Sequence, residues 1–542
     1  MANEQGSIFS ASEIGELVKA FQNSLSKAPS ISTASGLNFL PLEEEARNTY
    51  QVFHPILDMI PRVTPEELGH EVGGLTATWK QILTPGGNIL PSVPEGSRNA
   101  YINIPTRTTS ANFVTLGVDA AVTFESQSAG VGFNDNLGSA NLAKLNTLLN
   151  LEERMAIFGN SGPASLNGAG SNGFALGQTN TPTISIKATT GGSFASGQTV
   201  TVYLMALTGW GIYNAQNFGA KLAAPGIAQQ VSYASADGNT VTINGGCGEL
   251  SDPSNAGTPL DVAATGSTIE VVVEPTAGAF GYAAYVDVSD PSTPSVSSAY
   301  FAGVFTTSKF ILTAPGSVRN QTAYQLANYD YSYNPATAFT TGDFDGVCTW
   351  IAGSTLTSTP AYVFDLAGAV LTGDGAGGVV QLETAISSQW NTYQTTPDAV
   401  LLSSDIVPSF QQAMQTSPSG SGAGTFWVRQ GDPNNPAMGG SLIEEYKCKF
   451  SAFGLSKVLP IRNVPWLPSN TILCPTFNNP YPAAGDTIPS NFRMVCREGY
   501  YGLKYPYISR VHSMGIYVEE ALECYVPWAG ILITSVGNGS AV

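Results

Sequence analysis

The chain has 542 residues, more than one ordinary core can hold, so its length suits three or four domains. Apolar residues make up 43% of it, enough for sizeable cores, whereas charged residues make up 11%, less than half the usual share. The net charge is −18, from 22 Lys+Arg against 40 Asp+Glu with no basic run, which argues against a chain that grips DNA or RNA by its phosphates.

Glycine (58) and proline (34) are abundant, and 10% aromatics exclude a simple linker protein. This composition suits either a β-rich protein or one whose surface is covered by other copies of itself. The six cysteines, Cys247, Cys348, Cys448, Cys474, Cys496 and Cys524, form no C-x-x-C pair, and only His512 lies near any of them. They read as buried reduced thiols rather than zinc ligands. Met1–Phe21 lacks the basic and apolar regions of a signal peptide, and no run of 18 apolar residues offers a membrane span.

Ser10 and Glu13 have capping-box spacing, and Ile14, Leu17, Val18, Phe21 and Leu25 form one apolar stripe, so the chain opens with a helix. Pro29 and the Ser/Thr/Gly segment to Gly36 end it, which favours a helix that docks on another subunit. A second helix is expected from Pro41, with Ala46, Tyr50, Phe53 and Leu57 on one face and a kink or end at Pro55. His54 beside that face reads as structural.

From Val72 to Gln127 the period is two. Thr76, Thr78 and Lys80 alternate with Ala77, Trp79 and Gln81; Val114, Leu116, Val118, Ala120, Val122 and Phe124 alternate on the return, with PGGNILPSVPEGS as the tip. A two-stranded ribbon is marginal alone, so it must lie on its own body or on a neighbour. Ser139–Phe158 is the clearest helix, with Leu142, Leu145, Leu149 and Ala156 on one side, Leu148, Leu151, Met155 and Phe158 widening the stripe, and Gly159 as its stop.

From Thr181 to about Phe339 short β-prone runs (ISIKA, VTVYLMAL, TVTIN, TIEVVVEP, YAAYVDV, FAGVF, KFILT) alternate with turn residues, the spacing of a β-sandwich inserted into an α+β host. The host resumes near Phe344. A strand over Ala361–Leu371, a helix over Val379–Tyr393, a buried strand over Ala399–Leu402 and a helix bearing Ile406, Phe410 and Met414 are expected. A β-rich remainder follows: Phe426–Arg429, Lys447–Phe453, Thr471–Cys474, Tyr500–Tyr507, Met514–Glu519 and Ile531–Val536.

Chemistry-bearing motifs are weak. Gly373, Gly375 and Gly378 fit G-x-G-x-x-G between a strand and a helix, yet a second match at Gly168, Gly170 and Gly173 shows how readily this glycine content produces the pattern. Without successive β-α units the better reading is a glycine-rich turn. Asp343-Phe344-Asp345-Gly346 resembles the start of a calcium loop but lacks the further ligands and reads as a polar turn. His54, His70 and His512 are too scattered for a zinc protease, and no nucleophile elbow or P-loop occurs. Glu519/Glu520 and Glu444/Glu445 are adjacent carboxylates that sequence cannot place across a cleft. No catalytic residue, metal or cofactor is assigned, and the chain does not read as an enzyme.

Taken in order, FLPLEEEARNTYQVFHPILDMIPRV, GGLTATWKQI, FESQSAGVGFNDNLGSANLAKLNTLLNLEERMAIFGN, FDGVCTWI, LTGDGAGGVVQLETAISSQWNTYQTTPDAVLLSS and YYGLKYPYISRVHSMGIYVEEALECYVPWAGILI resemble the major capsid proteins of tailed bacteriophages. The segments IEVVVEPTAGAFGYAAYVDV and FTTSKFILTAPG look like an immunoglobulin- or fibronectin-type sandwich. The resemblance implies an α+β capsid fold. Residues 1–65 would be an N-terminal arm, 66–135 an extended loop over an adjacent subunit, and 136–178 a spine helix and the start of a peripheral domain. Residues 179–340 would be the inserted all-β sandwich, projecting outward, and 341–542 the rest of the peripheral domain and an axial domain. It implies pentamers and hexamers in an icosahedral shell, made in the host cytoplasm, that encloses double-stranded DNA without binding its sequence. Portal and scaffolding proteins would be partners, and the location the virion. Some relatives begin with a cleaved scaffolding segment; this chain shows none, which favours a separate scaffold. Some crosslink Lys to Asn; Lys80 lies in the right kind of loop, but no asparagine or glutamate partner is identified. Subunit contacts are expected at Ile14, Leu17, Phe21, Phe39, Trp79 and Lys80. The alternatives are a secreted surface-array or adhesion protein, which would carry a secretion signal and repeated sandwiches, and then a glycan-active enzyme.

Overall fold

The computed structural model describes residues 53–64, 74–82, 92–99, 101, 104–130, 135–164, 168–217, 230–234, 238–244, 246–288, 294–315, 325–326, 342–353, 362–375, 377–415, 444–450, 457–481, 490–507 and 509–537. The expected first helix with Ile14, Leu17 and Phe21, the contact residue Phe39, the body of the expected second helix and the strand over Phe426–Arg429 lie outside these residues. The end of the second helix, residues 55–59, is a run of turns.

A four-stranded sheet forms the floor of the body, in the order β1 (Arg62–Val63), β20 (Phe492–Lys504), β21 (Val511–Cys524), β4 (Val114–Thr123). The short helix α1 (Phe124–Gly130) follows β4, and α2 (Asn136–Phe158) lies across β4 and β21. Asp135 caps α2 by accepting from the Leu137 N–H. At about 1.5 Å per residue the helix runs roughly 35 Å. Its buried set differs from the expected stripe: Leu142 is exposed, while Lys144, Asn146, Leu148 and then every residue from Glu152 to Phe158 are buried. The helix thus leaves the surface part-way along and ends inside the protein. Gly159 stops it through crowding rather than a left-handed turn. A Cβ there would strike the Phe344 carbonyl oxygen, and Gly346 packs against the same point, donating to the Gly159 oxygen at 2.9 Å.

The ribbon's pairing also differs from the expected one. β2 (Thr76–Ile82) pairs with β3 (Thr106–Asn112), in register from Thr76↔Asn112 to Ile82↔Thr106, whereas β4 pairs with β21 in the floor. The alternation read at Val114, Leu116, Val118 and Val122 is therefore that of a sheet with one covered face.

The block after residue 180 contains two antiparallel sheets. The larger joins β10 (Leu260–Asp261), β6 (Thr199–Leu207), β12 (Gly281–Asp287) and β13 (Tyr300–Phe305), with β9 (Cys247–Leu250) on β6. The smaller joins β14 (Lys309–Leu312), β11 (Thr268–Val272) and β5 (Thr183–Ala188). Val200, Val202, Leu204, Tyr282, Ala284, Ile269, Val271 and Phe310 share a core between them. A two-stranded pair, β7 (Gln230–Ala234) with β8 (Thr240–Asn244), and a helix, α3 (Gly209–Asn217), complete the block, which is thus not all-β.

The expectation of a projecting, self-contained insertion is corrected. The opposite faces of β6 and β12, with Tyr203, Met205, Leu207, Ala283 and Tyr285, belong to the central core that holds Met155, Ile157, Phe158, Trp350 and Leu522. Phe158 meets Trp210 edge-on, with centroids 5.2 Å apart. Elsewhere Asp365 accepts from Ser308 and Ser535, tying the block to the C-terminal sheet.

That last sheet runs β15 (Tyr362–Asp365), β22 (Ile531–Thr534), β19 (Ile472–Cys474), β16 (Val400–Leu402), β18 (Lys457–Asn463), β17 (Glu445–Cys448). Val400, Leu402, Ile472, Ile531 and Ile533 face α5 (Val380–Tyr393) and α6 (Val407–Gln415); the alternate residues Leu401, Leu473 and Leu532 enter the central core beside α4 (Val347–Ala352). The central core is thus walled by two sheets buried on both faces. All six cysteines are buried, and none forms a disulfide.

Candidate assembly surface

The β2–β3 ribbon has a fixed root and an open end. At the root, Ala77, Trp79, Gln81, Thr109 and Ala111 point inward and are buried. Trp79 lies between Trp350 and Tyr525, with ring centroids 5.8 and 6.0 Å away. Gln81 donates to the Tyr525 carbonyl at 2.6 Å and accepts from Thr109 at 3.0 Å. Asn172 donates to the Ser110 oxygen, and Arg497 to the Gly74 oxygen. Tyr525 is itself held beside the buried Arg493–Glu523 pair; burial first, then Glu523, pushes its hydroxyl above the usual tyrosine range.

Period two places Thr78, Lys80 and Ile82 on the opposite, exposed face. Beyond Ile82, which is 74% exposed, the described residues 92–99 are all exposed, Tyr101 is 93% exposed and Ile104 60%. Large apolar groups this bare beyond a ribbon's root make it a candidate interaction surface. The ribbon is also basic, with Lys80, Arg98 and Arg107 against Glu95, on a chain of net charge −18.

Two expected contact residues thus part company. Trp79 fills its ring faces within its own chain and is withdrawn as an intersubunit contact, because period two turns it inward. Lys80 lies on the outer face. Ile82, Tyr101 and Ile104, exposed beyond the root, were not among the expected residues; a bulky apolar residue at the outward phase of a strand, or in a Pro/Gly-bounded loop, was the available signal.

The weak motifs resolve as local structure. Asp374 accepts from the Gly378 N–H, and Lys449 pairs with Asp374 and Glu383 in front of α5, so carboxylates occupy the place where a dinucleotide phosphate would sit. Asp345 accepts from the Ser161 N–H and hydroxyl and the Asn172 N–H, joining the end of α2 to the chain after the two-sheet block. His54 lies beside α2 and the His512 ring meets Phe124 at a tilt of 59°, while His70 lies outside the described residues. Among the described residues no three His, Cys, Asp or Glu gather as metal ligands, and no helix is long and apolar enough to cross a membrane.

No protein-family profile and no curated protein matches the chain. The solved structures similar to it include the capsid of Myoviridae phage XM1, at 7% identity and TM-score 0.36 over 91% of this chain and 96% of that one. The cyanophage A-1(L) capsid asymmetric unit gives 9% and 0.37 over 93% and 99%. The cyanophage Pam1 capsid asymmetric unit gives 10% and 0.36 over 95% and 100%. Scores this low do not establish a shared fold.

Proposed function

We propose that the chain is a self-assembling shell subunit, the major capsid protein of a tailed bacteriophage. The observation that carries this reading is the ribbon: its root is fixed by Trp79 and Gln81, while Ile82, Tyr101 and Ile104 stand bare at its outer end. A second copy is the occupant that charge favours, since a basic ribbon finds a complementary body in a chain this acidic. Heterologous contacts of this kind close into rings, and many weak ones per subunit make a stable shell.

On this reading pentamers and hexamers build an icosahedral virion shell around double-stranded DNA, with portal and scaffolding proteins as partners. Residues 1–65 act as an arm, 66–135 as the overlapping loop, with Lys80 at the contact, and α2 as the spine of a peripheral domain. Residues 341–542 complete the peripheral and axial domains. The two-sheet block is part of the same body, since β6 and β12 share the central core.

Negative-stain microscopy of the purified chain, co-expressed with its scaffold where one is required, tests this. Closed particles are the expected result, and Ile82→Asp combined with Tyr101→Ser should give folded protein without them. Flat sheets from the unaltered chain would favour a surface array instead, and normal particles from the double variant would refute the contact assignment.

A further inference from the structure

Arg154 lies in the buried last part of α2 and is 8% exposed. Its guanidinium sits between two rings, 3.8 Å from the centroid of Tyr213 on α3 and 4.1 Å from that of Trp466. None of the ion pairs among the described residues includes it, and its Nε has no hydrogen-bond partner among them. The carboxylates beside it on the helix are taken. Glu152 is held by Arg62 and Tyr500, and Glu153 accepts from the Ile56 and Leu57 N–H groups at 2.9 Å each. Burial pulls Arg154 below the usual arginine range, and only Tyr213 opposes it. Two ring faces recover part of the cost of taking a cation out of water, but a buried charge is ordinarily completed by an anion.

The N-terminal part of the chain enters the body at the same place. Trp466, whose ring covers one face of Arg154, donates its Nε1–H to the Phe53 carbonyl at 3.4 Å. Both ring nitrogens of the next residue, His54, are buried and have no hydrogen-bond partner among the described residues. Eight to ten positions ahead of Phe53 stands Glu43-Glu44-Glu45, the one run of three acidic residues in the sequence. Eight residues span roughly 12 Å as a helix and roughly 27 Å when extended, so either form reaches past the width of one indole.

We propose that Arg154, Tyr213 and Trp466 form a carboxylate seat, and that its occupant is the Glu43–Glu45 run of the same chain. Charge favours the match, since a buried cation without an anion lies one short tether away from three carboxylates. The tether makes the pairing intramolecular, so the local concentration of carboxylate is higher than a separate acidic peptide would supply. A planar carboxylate suits the edge of a guanidinium whose two faces are already stacked. The seat fixes where the N-terminal arm leaves the body, beside the buried end of α2. It belongs to a single copy and stands whether or not copies assemble.

A photoreactive phenylalanine analogue at position 46 of the full chain, which keeps all three glutamates, tests the seat in a mixture of light- and heavy-isotope chains. Crosslinks to the peptides that hold Tyr213 or Trp466, with both halves of one isotope, are expected. Crosslinks to another part of the body overturn the seat, and mixed-isotope adducts overturn the same-chain occupant. Hydrogen exchange supplies the second arm. Glu43→Gln, Glu44→Gln and Glu45→Gln together should cut protection of the Ile56, Leu57 and Asp58 amides by about tenfold, the loss of one charge-assisted hydrogen bond. Arg154→Gln should do the same, and the combined variant should lose no more than the larger of the two. Losses that multiply, or no loss in the triple variant, overturn the pairing. Should Arg154→Gln fail to fold, the crosslink and the triple variant still decide.

Discussion

The indole rings of Trp79 and Trp350 meet with centroids 5.8 Å apart, tilted at 58°. One ring comes from the ribbon and the other from α4, so this contact, with the one to Tyr525, joins the ribbon to the central core. Trp79 is 5% exposed. Trp79→Ala should therefore lower global stability by about 3–5 kcal/mol, as expected when a large core aromatic is deleted. Denaturant unfolding checks this; a cost below about 1 kcal/mol would mean the ribbon root is not part of the core.

Asp345 is a second joint, between the chain leaving α2 and the chain leading into α4. It is buried and accepts from Ser161 and from the Asn172 N–H at 2.9 Å. Asp345→Ala strands these buried donors and should cost about 2–3 kcal/mol in the same unfolding assay. A variant as stable as the unaltered chain would remove Asp345 from the account of how the two-sheet block is fixed to its host.

Asp343 predicts a pH dependence. Burial first, with Asp345 adding to it, pushes its carboxyl up to about 7, against an ordinary value of 3.8. A carboxyl that holds its proton more tightly when folded contributes stability that is fully present below the unfolded value and is lost as pH rises through the folded one. Unfolding free energy should fall between about pH 6 and about pH 8. Asp343→Asn should remove part of that fall, since Glu153, pushed up to about 7, supplies another part. A profile identical in slope to the unaltered chain would contradict the assignment.

Elements set by local patterning were legible in sequence. The helix ending at Phe158 and the helix over Val380–Tyr393 lie within a few residues of their expected bounds, because caps and apolar period act locally. Strand partners were not: nothing near Thr76 says whether it pairs with Thr106–Asn112 or with Val114–Thr123, since both runs alternate. The two-sheet block was read as separate because its strands and turns are self-consistent. The contrary signal lay in VTVYLMAL, which is apolar on both phases, as a strand buried on both faces must be. Lys144, Glu152 and Glu153 are charged residues that sequence alone leaves at the surface, yet tertiary partners bury them. The exposed end of the ribbon went unread because exposure depends on everything the rest of the chain fails to cover.

On the proposed reading, the outer end of the ribbon finds its partner in another copy. A photoreactive phenylalanine analogue at position 101, irradiated in the assembled protein, tests it most directly. Adducts of twice the subunit mass are expected, with the crosslink mapping to a different copy. Adducts confined to single chains, with residue 101 joined to its own body, would contradict it.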